Sequence, residues 1–244
     1  MRKSQIVVLS ALGAVALLIV GAVVGARIIG AQLASGEYSE ESSSARRSGP
    51  LASESRDLSG FDRVEARGTW EIDIERGDAW DVELAYPESA EDLIDVRVEN
   101  GRLVLEEERR GWSWFGRPDE TFEATITMPA LAGIDLSGAT ELTLSGFSGD
   151  QLEVTASGAM EIDGTNGSYR ELTLIVSGAG QVDFDELVVE DARVVLSGAG
   201  EIKLNMNGGV LSGNVSGAGN ITYRGTVREE NVVTSGFSSV EAAD

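Results

Sequence analysis

Three groups of residues in this chain are of types that could do chemistry. The first is a ladder of acids: Glu141, Glu161, Gln181 and Glu201 recur at a fixed spacing, with Asp163 and Asp183 two positions beyond Glu161 and Gln181. On neighbouring strands such carboxylates stand about 5 Å apart. Two of them could act as acid and base on a glycosidic bond, or several could gather around calcium. Calcium loops converge their ligands through turns, and polysaccharide-cleaving enzymes raise long loops over a groove. Here the loops are minimal, so a solvated polar face is the plainer reading. The second group is a series of serines in Ser-Gly pairs, at Ser137, Ser157, Ser177, Ser197 and Ser216. The chain has no histidine and no cysteine. The serines therefore lack the usual base, thiol and disulfide chemistry is excluded, and zinc loses its main ligands. No catalytic residue, metal or cofactor is expected. The third group is the segment Arg109 to Pro118, which concentrates arginines and aromatics in an otherwise acidic chain. Arg110, Trp112, Trp114, Phe115 and Arg117 form either a binding patch that stacks on a sugar or grips a protein, or a cap on an open end of the core.

The elements that position these groups follow from a repeat. Ser-Gly pairs begin at Ser137, Ser157, Ser177, Ser197, Ser216 and Ser235, at spacings of 20, 20, 20, 19 and 19, and the first five continue as Ser-Gly-Ala. Immediately before the serine stand Leu136, Ala156, Val176, Leu196, Val215 and Thr234. Five positions after it stand Leu142, Ile162, Val182, Ile202, Ile221 and Val240. Apolar and polar residues alternate with period two on both sides of the glycine, which means strand, corner, strand. A unit of about 20 residues is too short for a helical pair or a propeller blade. One coil cannot bury its own apolar row, but coils stacked about 4.8 Å apart can. The expected fold is all-β, a single-stranded β-helix or β-solenoid with about 19–20 residues per coil. The pairs Ser137-Gly138, Ser157-Gly158, Ser177-Gly178, Ser197-Gly198 and Ser216-Gly217 read as a structural turn ladder, with glycine sparing the corner a Cβ clash.

Residues 61–130 are less regular but still alternate. Asn100-Gly101 between two such runs predicts a hairpin, and Pro87 to Leu93 a short helical turn. The stretch Leu58 to Ala66 echoes Thr234 to Ala242, which suggests one coil type at both ends.

The expected domains are 1–5 (cytoplasmic), 6–26 (transmembrane), 27–57 (flexible linker) and 58–244 (the β-domain). Ile6 to Ala26 is an apolar run of about 21 residues, enough to span a bilayer core of about 30 Å. Arg2 and Lys3 precede it, favouring a cytoplasmic N-terminus and an exported remainder. The candidate cleavage site ending at Ala34 has Gln32 where a small residue belongs, so an uncleaved signal-anchor is read over a cleaved signal. Formal charge is −22, and residues 61–244 hold 13 basic and 36 acidic residues. Such a surface repels phosphate backbones, which excludes nucleic acid as a partner.

Gly60-Phe61-Asp62-Arg63-Val64, Asn100-Gly101-Arg102-Leu103, Met128-Pro129-Ala130-Leu131 and the Ser-Gly-Ala-Gly corners at Ser177 and Ser197 occur in one order. Together they resemble a bacterial family, the putative auto-transporter adhesin, head GIN domain. The resemblance covers residues 58–244. It implies a β-helical fold at the cell envelope and supplies no activity and no functional residues.

The expected function is thus a membrane-anchored, non-enzymatic adhesion or protein-interaction module. It would be a single-pass protein of the bacterial inner membrane with its domain in the periplasm or outside. Residues 6–26 would engage the membrane, and an envelope protein or a glycan would be the partner. The alternatives are a self-associating scaffold, a homo-oligomer through its β-edges, and a polysaccharide-active enzyme using its carboxylates.

Overall fold

The computed structural model of the protein describes residues 51–107 and 122–243. Nearly all of them lie in strands, joined in one 12-stranded sheet. The elements are β1 (Leu51–Ser55), β2 (Arg63–Arg76), β3 (Asp81–Pro87), a 3-10 turn (Glu88–Leu93), β4 (Ile94–Glu99), β5 (Arg102–Glu107) and β6 (Phe122–Met128). There follow β7 (Gly133–Ser145), β8 (Ser148–Thr165), β9 (Gly167–Asn207), β10 (Val210–Thr226), β11 (Glu229–Gly236) and β12 (Ser239–Ala242). The expected fold class holds as all-β. Among the described residues no helix is long and apolar enough to cross a membrane, and 6–26 lies outside them.

From β7 onward every strand pairs in parallel with the next stretch of chain. Ser137 pairs Ser157 and Ser157 pairs Ser177, a register of 20, while Ser197 pairs Ser216. This register places alike residues side by side, so one inward column reads Leu136, Ala156, Val176, Leu196 and Val215, all buried. A second column of Leu142, Ile162, Val182, Ile202 and Ile221 is buried on the other arm. Each fully buried large aliphatic side chain contributes about 1.5–3 kcal/mol, and each sits against the same position in adjacent coils.

At the start of the sheet the register between β2 and β7 is 70, with Arg63 opposite Gly133. The extra residues fold back as antiparallel strands, which a single-stranded coil does not have. β6 lies beside β2, β3 beside β6, and β1 beside β3. β5 lies beside β2, with β4 antiparallel to it. The β4–β5 hairpin turns at Asn100 and Gly101, at φ 53° and 77°, as the dipeptide predicts.

Two expectations need correction. The linker expected over 27–57 takes in Leu51–Ser55, which has little apolar content. That stretch is nonetheless a strand, held on one side by the backbone of β3, with alternate residues half-buried. The two ends also do not share a coil type. Val64 pairs Ile134 on the first arm, whereas Val240 pairs Ile221 on the second. Gly60-Phe61 and Gly236-Phe237 thus sit at different corners, and Phe61 is buried while Phe237 is 75% exposed.

Candidate functional site

The turn ladder has a backbone cause. Gly68, Gly138, Gly158, Gly178, Gly198, Gly217 and Gly236 form one stack at the first corner, all with φ between 88° and 136°. A Cβ on Gly158, Gly178, Gly198 or Gly217 would lie 2.0–2.1 Å from the carbonyl oxygen of the glycine one coil earlier. The chain therefore turns where only glycine fits, both in conformation and in space. Two of the serines beside them bond the backbone: Ser157 donates to the Leu136 carbonyl and Ser216 to the Leu196 carbonyl, each at 3.4 Å. The expected ladder at Ser137, Ser177 and Ser197 stands in the same row, exposed at the corner. Sequence reading missed Gly68, because Arg67 replaces the serine and the long insertion hides the spacing.

Beyond the corner the second arm turns two polar columns outward. One runs Glu71, Glu141, Glu161, Gln181, and then Glu201, Asn220 and Ser239; the other runs Asp73, Thr143, Asp163, Asp183, with Lys203, Thr222 and Glu241 after it. Thr143 donates to Asp73, and the Lys203 ammonium bonds the Asp183 carboxylate at 2.9 Å. Burial and the neighbouring Asp183 push the Asp163 carboxyl up from its ordinary value. Burial, Asp163 and Glu141 do the same for Glu161. Burial also acts on Asp183, but the Lys203 hydrogen bond and the Asp185 amide outweigh it and hold its pKa down. Adjacent strands thus set a carboxyl with a raised pKa beside one with a lowered pKa. No group of three acids among the described residues converges closely enough to hold a metal ion.

The outer face of the first arm carries an ion network that no spacing in the sequence announces. Arg102 bonds Glu65 at 2.7 Å and lies 3.3 Å from Asp135. Arg67 pairs Glu65 and, at 3.3 Å, Glu106. Arg97 reaches Glu106 at 3.1 Å, and Arg63 reaches Glu153 at 3.1 Å. Burial raises the Glu65 pKa, but its bonds to Arg102 and Arg67 prevail and the net shift is downward. The network ties β2 to β4, β5, β7 and β8 across long sequence separations, which no local pattern encodes.

At the other end of the sheet the last coil breaks the rules of its columns. Glu230 stands where earlier coils bury Leu211, Ala192 and Leu172, and accepts a 2.8 Å bond from the Tyr223 hydroxyl. Val233 is 66% and Phe237 75% exposed. Arg110, Trp112, Trp114, Phe115 and Arg117 lie outside the described residues.

Comparison with known proteins follows the same lines. The family described as putative auto-transporter adhesin, head GIN domain, matches residues 60–226 and 169–244. Among solved structures, a putative adhesin from Bacteroides fragilis is similar, with 17% identity over 81% of this chain and 99% of that one, and a TM-score of 0.58. A putative lipid binding protein from Parabacteroides distasonis gives 15% identity over 80% and 98%, at a TM-score of 0.44. At such identities the first likeness speaks for the fold alone, and the second carries no argument. No curated protein matches the chain.

Proposed function

This chain belongs to the family described as putative auto-transporter adhesin, head GIN domain, and from that premise we propose that it is a binding module of the cell envelope. Its coils form a β-solenoid of about 19–20 residues per turn that presents a fixed outer surface to an envelope protein or a glycan. The apolar run 6–26 holds it in the inner membrane as a signal-anchor, with the β-domain exported. The observation that carries the reading is the pair of in-register polar columns on the second arm. Coil stacking sets their side chains at a spacing of about 4.8 Å. A partner thereby meets donors and acceptors that are already ordered, which lowers the entropy cost of binding.

Binding rather than turnover is supported by Ser157 and Ser216, whose hydroxyls bond backbone carbonyls, and by a chain without histidine. The raised Asp163 beside the lowered Asp183 supports one competing reading, hydrolysis of a polysaccharide by paired carboxylates. Glycan arrays and envelope-protein pull-downs with the full-length protein in mild detergent test both. Binding that falls at least tenfold in Glu161→Lys/Asp163→Lys supports the columns. Binding that falls instead in Trp112→Ala/Trp114→Ala moves the site to the arginine-aromatic segment. Turnover abolished by Asp183→Asn would replace the binding reading with the enzymatic one.

A further inference from the structure

Among the described residues, β11 and β12 pair on one side only, each with β10. No described residue pairs with their outer edge of backbone donors and acceptors. Proteins usually blunt such an edge with charge, proline, a bulge or a cover. At the opposite end of the sheet charge does this: β4 carries Asp95, Arg97 and Glu99 along one face. From Glu229 to Ala242 the last coil has no lysine and no proline, and its charges are Glu229, Glu230 and Glu241, which leaves Asn231 to Val240 uncharged. It also holds the two most exposed large apolar side chains among the described residues, Val233 and Phe237. Phe237 is the clearer anomaly. In its column the earlier coils carry Thr69 and then Ala139, Ala159, Ala179, Ala199 and Ala218, yet here a phenylalanine projects at the corner between β11 and β12. Its amide donates to the Gly217 carbonyl at 2.7 Å, so the backbone is fixed while the ring stays in solvent.

We infer that this coil is a docking edge for a second copy of the chain, joined head to head about a two-fold axis through Phe237. The inference goes beyond the binding-module reading and adds a second copy of the chain to the envelope partner named there.

The register supports it. An axis at Phe237 sets β11 antiparallel to the partner's β12, and β12 to the partner's β11. Val232 then faces Ala242 and Thr234 faces Val240, so residues on inward columns meet inward columns. On the outer face Val233 meets Glu241 and Ser235 meets Ser239. Within Val232–Ala242 no acid stands opposite another. Both rings of Phe237 leave water at the axis. About ten residue pairs close on the order of 1,000 Å² in total, the low end for a specific interface. The pair is therefore reversible, as an adhesive contact needs to be. It is also finite, because an isologous contact uses the same edge on both partners and closes on itself. Leu51 opens β1 at the far end of the sheet order, so the two chains enter the joined body from opposite ends, the arrangement that bridges two surfaces.

The test exploits a chain without cysteine. Full-length protein in mild detergent carries a single Phe237→Cys or, as the control from the same column, Ala139→Cys, and each is mildly oxidised. Phe237→Cys is expected to give a covalent dimer at least tenfold faster than Ala139→Cys. In light scattering, Val233→Lys/Phe237→Lys is expected to raise the dimer dissociation constant at least tenfold with melting unchanged, since both side chains are exposed. Added NaCl is expected to strengthen the wild-type dimer, because each copy carries −22 formal charges. Equal cross-linking at the two positions, a monomer at every concentration, or growth into longer polymers would overturn the inference. A monomer that still binds a glycan or envelope protein would reject the dimer and keep the binding module. A dimer that binds neither would do the reverse.

Discussion

A methyl group at Gly178 would sit 2.1 Å from the Gly158 carbonyl oxygen, at a φ of +133° that side chains avoid. Both penalties fall on one residue. Gly178→Ala is therefore expected to cost at least about 3 kcal/mol in urea unfolding. Gly101→Ala, with φ +77° but open space around it, should cost only the conformational part, about 1–2 kcal/mol. Thr140 works in the opposite direction. Its hydroxyl is buried and finds no hydrogen-bond partner among the described residues. Thr140→Val removes that unsatisfied group at constant shape and should stabilise by about 1 kcal/mol. The carboxylates have opposite signs. Glu65, lowered by its arginines, stabilises the fold above the ordinary carboxylate range, and this support is lost as pH falls through its depressed value. Asp163, raised by burial and Asp183, favours the fold when protonated, and that contribution is lost as pH rises through its raised value. Accordingly Glu65→Gln should lower the melting midpoint at pH 7 and Asp163→Asn should raise it. Both differences should vanish in acid below the carboxylate range.

Strands in the middle of the sheet are covered on both sides and those at its ends on one. Leu174→Ala removes a fully buried side chain between two coils and should cost about 2–5 kcal/mol. Val232→Ala, half-buried on the last coil, should cost well under that. Hydrogen exchange should rank the strands the same way, with β8 and β9 slowest and β11 and β12 fastest. What the sequence disclosed follows from the same geometry. A register of 20 repeats the column pattern, so the Ser-Gly row and the Leu136 and Leu142 columns can be read directly from spacing. The Asn100-Gly101 hairpin is legible because its turn chemistry is local. The insertion between β2 and β7 is not, since its antiparallel strands pair across long separations without a period. For that reason Gly68, the place of Leu51–Ser55 beside β3, and the network around Glu65 all escaped. The echo of Gly60-Phe61 in Gly236-Phe237 misled because a short motif does not state its phase within a coil. The anomaly at Phe237 is visible only once the alanine column is drawn.

The whole molecule combines a stacked apolar interior with a surface of strong negative charge. Self-repulsion opposes compaction, so raising NaCl from about 20 to 500 mM, which shortens the screening length severalfold, should raise the melting temperature of the wild type. Everything else depends on successive coils lying side by side at one strand spacing. Electron–electron distances between spin labels test this directly, because the chain has no cysteine to compete for label. Labels on Ser137 paired in turn with Ser197, Ser216 and Ser235 span three, four and five coil steps. The separations should rise evenly, at about 14, 19 and 24 Å, one strand spacing of about 4.8 Å per step. Distances that fail to rise by a constant step, or that scatter broadly at every pair, would contradict the stacking.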